Sequence, residues 1–341
     1  MNKVHFFLVL TALFFISCKN NSDNSNAKTT GDINTISVLI DDQLWKGAIG
    51  DSVRNKFASS VIGLPEEEPQ FTINQYPIKF LEGFVVNSRN SIVIKKSNAS
   101  GFEIKKNEFA TPQNIFYISG RTTSEIVAVI EKHTAEIIRL MRETEIVENQ
   151  RIIDTSLIKT DQIKKKFKID LNIPNGYNNV LTKKKFLWYK KENTGGSTSI
   201  VIYQVPINKI EASYKSSILK NIIRTRDSIG ALYIHGTERY SKMITEQAYS
   251  PYFINVKLGK RNAFETKGTW EMKNDFMSGP FINYCIKDYR NRRILVLEGF
   301  CYAPSMKKRD LMFELESIIK SVKFIKNKSQ ESKKMYSLLN K

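Results

Sequence analysis

Apolar residues recur along this chain with two periods. INTISVLID (33–41) is rich in β-branched residues and predicts a strand, as do NSIVIKK (90–96) and NIFYISG (114–120). After the first of these, DDQLWKGAIGDSVRNKF (41–57) carries Leu44, Ile49, Val53 and Phe57 at helical spacing. GLPEEEPQFTINQYP (63–77), with its three prolines and acidic triplet, reads as a loop. From Thr122 to about Glu148 a helix is expected. Thr122 and Glu125 have capping-box spacing, and Ile126, Ile130, Ile137 and Met141 share one face. A more polar helical stretch, about Asn149–Lys166, ends in lysines and reads as a connector.

The second half repeats this logic with more strands. FKIDLNIPNGY reads as a strand ending at Pro174, and Phe186–Lys190 and Ser199–Val205 flank a Gly195–Gly196 turn. Lys215–Ile229 is an amphipathic helix. Ile244–Ala248, Phe253–Leu258, Phe264–Glu271, Phe281–Ile286 and Ile294–Tyr302 read as strands, and Arg309–Val322 as a closing helix with Phe313, Leu315, Ile318 and Ile319 apolar. Each half runs from strands into a helix, so the expected class is α+β with two domains, each a mostly antiparallel sheet covered by helices. The boundaries expected are 33–148, a helical connector at 149–168, 169–325, and a polar tail at 326–341. With 341 residues and single cores that stop growing near 250–300 residues, two domains are also the expectation from size.

The first residues change the picture of where the chain resides. Lys3 precedes an unbroken apolar run, Phe6–Ile16, that rises only about 16 Å as a helix, roughly half of a ~30 Å hydrocarbon core. That length suits a signal peptide over 1–17 and not a permanent span. Residues 18–32 are almost wholly polar and read as a flexible tether. The Ser17–Cys18 ending resembles the lipobox of bacterial lipoproteins, in which the chain is cut before the cysteine and its thiol and new amine are acylated, with palmitate among the acyl groups. Phe15 and Ile16 depart from that pattern in the way Bacteroidetes-type lipoproteins do. Two or more acyl chains give stable anchoring, at about 0.8 kcal/mol per buried methylene. The resemblance implies lipidation at Cys18. Lys19, with no acidic pair behind it, points to the outer membrane facing the periplasm.

The chain is strongly basic: 53 Lys and Arg against 34 Asp and Glu, a formal charge of +19. The basic runs (164–166, 183–185, 190–191, 290–293, 307–309) are scattered, without the interleaved stacking aromatics of a nucleic-acid face. An exported chain would not meet nucleic acid, so anionic lipid headgroups or carboxylate-bearing wall polymers are the expected counter-charges. Cys285 and Cys301 invite a disulfide in an oxidising compartment. A hairpin turning at Arg290–Asn291, however, sets Cys285 opposite Val296 and leaves Cys301 about 17 Å further on. His133 and His235 stand alone on a helix and at a turn, and the sequence has no HExxH, CxxC, GxSxG or GxxxxGK[ST]. No metal and no cofactor is expected, and no catalytic residue is assigned.

Two segments carry candidate chemistry. In ETKGTWEMKNDFMSGPF (265–281), Glu265, Glu271 and Asp275 are the carboxylates a glycan- or peptide-acting hydrolase would need, with Trp270 as a sugar-stacking surface. On one strand Glu265 and Glu271 share a face but stand about 20 Å apart, so only a bend at Gly268 would join them. In the other segment, Asp41, Asp42 and Trp45 follow the first strand, with Asp42 a plausible helix N-cap and Trp45 either a core residue or a ligand contact. Glu66–Glu68 could meet a cation or a basic partner, although a solvated loop is the simpler reading.

DDQLWKGAIGDSVRNKF (41–57), LPEEEPQFTIN (64–74), ETEIVENQR (143–151), AFETKGTWEMKNDFMSGPFINY (263–284) and LVLEGFCYAPSMKKRDLMFELESIIKSVKF (295–324) together resemble a Bacteroidetes-type envelope lipoprotein family of unknown function. The element order of the second half loosely resembles the αβα sandwich of the PsbP and Mog1 type. Such fold-level likeness carries no activity. The functional expectation is a lipid-anchored, non-enzymatic binding or scaffolding protein for an envelope protein or anionic wall polymer. The alternative is an envelope hydrolase using the carboxylates near 265–275.

Overall fold

The computed structural model describes residues 27–82, 84–211 and 217–325. The leader expected over 1–17, the lipidation expected at Cys18 and the tail expected from 326 lie outside them. The chain forms two α+β units. In order, the first contains β1 (Ala27–Lys28), β2 (Thr35–Ile40), α1 (Asp42–Trp45), α2 (Ala48–Phe57), β3 (Thr72–Tyr76), β4 (Asn90–Lys96), β5 (Gly101–Lys106), β6 (Ala110–Thr111), β7 (Asn114–Gly120) and α3 (Thr123–Ile153).

Its main sheet has the order β3-β2-β4-β7-β5. Here the antiparallel expectation fails for this unit: β2 pairs in parallel with β3 and with β4, and β4 with β7, while only β5 is antiparallel, on β7. The cause is β3, hidden in a proline-framed segment. Once FTINQY is a strand, β2–α1–α2–β3 is a strand–helix–strand crossover, which returns the chain to the same end of the sheet. Alternate residues Ile36, Val38 and Ile40 face Ile49, Val53 and Phe57 of α2 and Ile126, Ile130 and Ile137 of α3. Ala27–Lys28, read as tether, instead pairs in parallel with β6, and Thr30 bridges to Ser88.

As expected, α3 starts at Thr122, whose hydroxyl accepts from the Glu125 N–H at 3.2 Å. It continues to Ile153, past the expected end near Glu148, and the connector is a break at 154–160 before the short α4 (Asp161–Phe167). The extra turn carries Asn149 and Gln150, which bond Ser317 of the second unit. Glu145 is fully buried and accepts from Arg89 Nε (2.8 Å), Asn90 Nδ2 (2.7 Å) and the Asn34 N–H (2.9 Å), pinning α3 to the starts of β2 and β4.

The second unit contains β8 (Ile169–Asp170), β9 (Asn178–Lys183), β10 (Phe186–Asn193), β11 (Gly196–Pro206), α5 (Ile218–Tyr233), β12 (Lys242–Thr245), β13 (Tyr252–Leu258), β14 (Arg261–Lys273), β15 (Ser278–Asp288), β16 (Arg293–Tyr302), α6 (Arg309–Lys320) and β17 (Lys323–Phe324). Its eight-stranded sheet, ordered β12-β14-β15-β16-β11-β10-β9 with β13 also on β14, is antiparallel throughout. Cys285 sits opposite Val296, the register expected, and both described cysteines are buried free thiols. Burial pushes both thiols up, Cys301 to about 12, so they behave as small apolar residues. One face of the sheet packs on α6 through Ile282, Tyr284, Leu295, Leu297 and Leu315. The other packs on α5 through Ile222, Phe264, Trp270, Phe281 and Val296.

Candidate functional site

The two units meet along α3 and α6. Asn149 Nδ2 donates to Ser317 Oγ at 3.0 Å, Gln150 Nε2 to the Ser317 carbonyl at 2.9 Å, and Arg142 pairs with Glu316 at 2.7 Å. A hairpin-like strap from the first unit closes one side: Ser60 bridges to Pro69, and Gly63 near its tip lies against β14. Gly63 has φ +89°, and a Cβ there would stand 3.0 Å from Lys267 Cβ and 3.2 Å from the Gly268 nitrogen, so only glycine lets the strap approach this closely. The carboxylate of Glu68 accepts the N–H groups of Lys308 (2.6 Å) and Arg309 (3.1 Å) at the start of α6. Glu66 pairs with Lys308 Nζ at 2.7 Å. The acidic triplet thus meets a basic partner within its own chain, where charge and orphan N–H groups at a helix start attract it.

Between strap, α3, α6 and the β13–β14–β15 face lies a cavity of about 400 Å³. Its walls are largely apolar: Ile62 and Leu64 from the strap, Ile138 from α3, Ile254 and Ile282 from the sheet, Met312 and Phe313 from α6. Its floor is ionic. Lys267 Nζ lies 2.9 Å from Glu265 and 3.8 Å from Glu316, so the two carboxylates share one ammonium; Arg142 and Lys320 also contact Glu316, at 2.7 and 2.6 Å. Burial pushes the Glu316 carboxyl up, but Lys267, Arg142 and Lys320 outweigh it and hold it well below the usual carboxylate range. Burial, with Glu316 and Glu265 beside it, pushes the Tyr284 phenol well above its ordinary value, so it stays protonated.

The sign of the Glu316 shift sets a pH dependence. Its folded pKa is depressed below an unfolded value of about 4.3, so its stabilisation is complete above roughly pH 5 and falls away as pH drops through that range and lower. Urea midpoints measured from pH 6 down to about 3 should fall steeply in the native chain and less steeply in Glu316→Gln. Parallel curves would mean that Glu316 is not held ionised.

Of the sequence candidates, only Glu265 lines this cavity. The ladder of β14 with β15 runs without a break from Ala263 to Glu271, so Gly268 makes no bend and Glu271 stays six residues along the strand from Glu265. Asp275 builds a turn, accepting from the N–H groups of Phe276 (2.7 Å) and Thr237 (2.9 Å). The three carboxylates therefore do not converge. Trp270 is 1% exposed, lies on the opposite face from Glu265, and donates its indole N–H to the Cys301 carbonyl at 3.2 Å; no sugar can stack on it. Asp41, not Asp42, takes the N-cap position of α1 and makes no side-chain cap bond, whereas Asp42 accepts from Gln75 Nε2 at 3.1 Å. Trp45 packs against the core beneath the Arg54 guanidinium, 4.5 Å from the ring centre. His133 stacks on Phe102, and His235 contacts the Ser241 carbonyl, both structural arrangements. Among the described residues no group of three His, Cys, Asp or Glu side chains could hold a metal, and no helix is long and apolar enough to cross a membrane.

Arg142, Lys267 and Glu316 escaped the sequence reading. Glu316 did leave a signal, since it sits among Met312, Phe313 and Ile319 on the apolar stripe of α6, where a charge must be buried and paired.

Residues 29–154 match a family described as a domain of unknown function (DUF8532), and residues 156–321 match another so described (DUF4837). The seam falls just after α3, which assigns the whole of that helix to the first unit. No curated protein matches the chain. Among solved structures, the Saccharomyces cerevisiae Ran-binding protein Mog1p is similar over 46% of this chain and 90% of its own, at 10% identity and a TM-score of 0.32. A Mog1 variant covers 47% and 92%, at 8% identity and a TM-score of 0.30.

Proposed function

We propose that this chain is a non-enzymatic binding protein of a bacterial cell envelope, tethered by an acylated Cys18 to a membrane, and that it holds an envelope component in the cleft between its two units. The cleft carries this reading. Its volume lies within the ~300–1,000 Å³ of small-molecule sites, and its apolar walls with a few convergent polar groups have the composition of such sites. Its carboxylates are poor material for hydrolysis: Glu316 is locked in the ionised form by three cations, and Glu265 is paired with Lys267. Glu265, Glu271 and Asp275 stand too far apart along the chain's own strand and turn to act as an acid–base pair. The tether rests on the apolar leader and the Ser17–Cys18 junction, and the basic surface suits a protein held near anionic headgroups or wall polymers.

Metabolic labelling with a palmitate analogue tests the anchor. The native chain should take up label and sediment with membranes, whereas Cys18→Ser should do neither. An unlabelled native chain in the cytosol, leader intact, would overturn the proposal.

A further inference from the structure

Resting on the reading of the cleft as a binding site, the geometry points to its ligand class: an amphiphile with one apolar chain and a singly anionic head, the chemistry of a fatty acid. Two observations converge. The first is shape and polarity. Ile62, Ile138, Ile254, Ile282, Met312 and Phe313 line a cavity of about 400 Å³, a setting that favours an apolar chain over a wholly polar molecule.

The second is charge. The lining holds Arg142, Lys267 and Arg309 against Glu265 and Glu316. Adding Lys320, which contacts Glu316, and Asp310, which pairs with Arg309, leaves the same excess of one positive charge. A single anion among Arg142 and Lys267 balances the floor. Both side chains keep part of their surface exposed, so each can turn further donors toward a head group. A cationic head would instead add to an existing excess.

Isothermal titration of the mature chain below micelle-forming concentrations tests this with three probes of similar tail: decanoate, decanol and decyltrimethylammonium. Decanoate should bind saturably and most tightly, with the neutral and cationic probes roughly tenfold or more below it. Arg142→Gln should weaken decanoate by about tenfold. Because Arg142 also joins α3 to α6, a second variant is needed: Ile138→Trp, which fills the cavity from a half-buried position, should abolish binding while leaving thermal unfolding cooperative. Equal binding of decyltrimethylammonium and decanoate, or binding that survives Ile138→Trp, would overturn the inference. If no probe binds but protein taken from its own membranes carries another compound removed by Ile138→Trp, the ligand class is wrong and the binding function stands. If nothing is carried either, both fall.

Discussion

Replacing Glu145 with alanine is expected to lower the unfolding free energy by about 3–5 kcal/mol, the cost of leaving a buried charge without its partner. Arg89 is 2% exposed and its guanidinium contacts both carboxylate oxygens of Glu145, at 2.8 and 3.0 Å. The same group also holds the carbonyls of Gly31 and Asp32, and Glu145 further accepts from Asn90 and the Asn34 N–H. Truncation therefore strands a guanidinium, an amide and a backbone N–H at once, at the point where α3 meets the starts of the parallel strands. Urea unfolding should show a lower midpoint with an unchanged slope. Glu143→Ala, which removes an exposed partner of Arg139 on the same helix, should cost several-fold less. Similar losses for both variants would remove the argument that Glu145 anchors the first unit.

On the far face of the second sheet, Arg226→Met is expected to cost a similar amount, about 3–5 kcal/mol, while Arg226→Met combined with Glu298→Leu should recover most or all of it. Arg226 reaches from α5 to Glu298 on β16 at 2.9 Å and to Thr245 at 3.1 Å, with its guanidinium 3.9 Å from the Phe281 ring centre. Asn283 supplies the second carboxylate oxygen with a donor at 2.7 Å. Burial pushes the Glu298 carboxyl up, and the Arg226 charge and the hydrogen bonds only partly offset it. Such a pair costs desolvation that a well-packed apolar pair avoids, so the double variant can match the native chain. Thermal or urea denaturation of the two singles and the double supplies the cycle. A double variant as unstable as Arg226→Met alone would mean that the hydrogen bonds, and not the stranded charge, set the cost.

How much of this was readable in advance follows from how each signal arises. Long elements with a clean apolar period, such as α3 and the β14–β15–β16 meander, were legible, and the 289–292 turn even gave the Cys285–Val296 register. Short or polar strands were not. β3 lies between prolines, and β9 (NNVLTK) and β5 (GFEIKK) are edge strands with little to bury. Losing β3 concealed the crossover and with it the parallel pairing of the first sheet. The site was legible only in Glu265. Arg142, Lys267 and Glu316 come from three elements far apart in sequence, and their meeting depends on how α3 crosses α6. What each residue could have disclosed singly was a charge on an apolar stripe, as with Glu316 on α6 and Glu145 beyond Met141 on α3.

The most direct test of the cleft as a binding site is native mass spectrometry of the chain purified from the cells that make it, compared with Ile138→Trp prepared identically. The native chain should carry a non-covalent mass beyond its covalent mass, and the variant should lose that mass. Identical spectra, with no bound mass in either or the same mass in both, would contradict it.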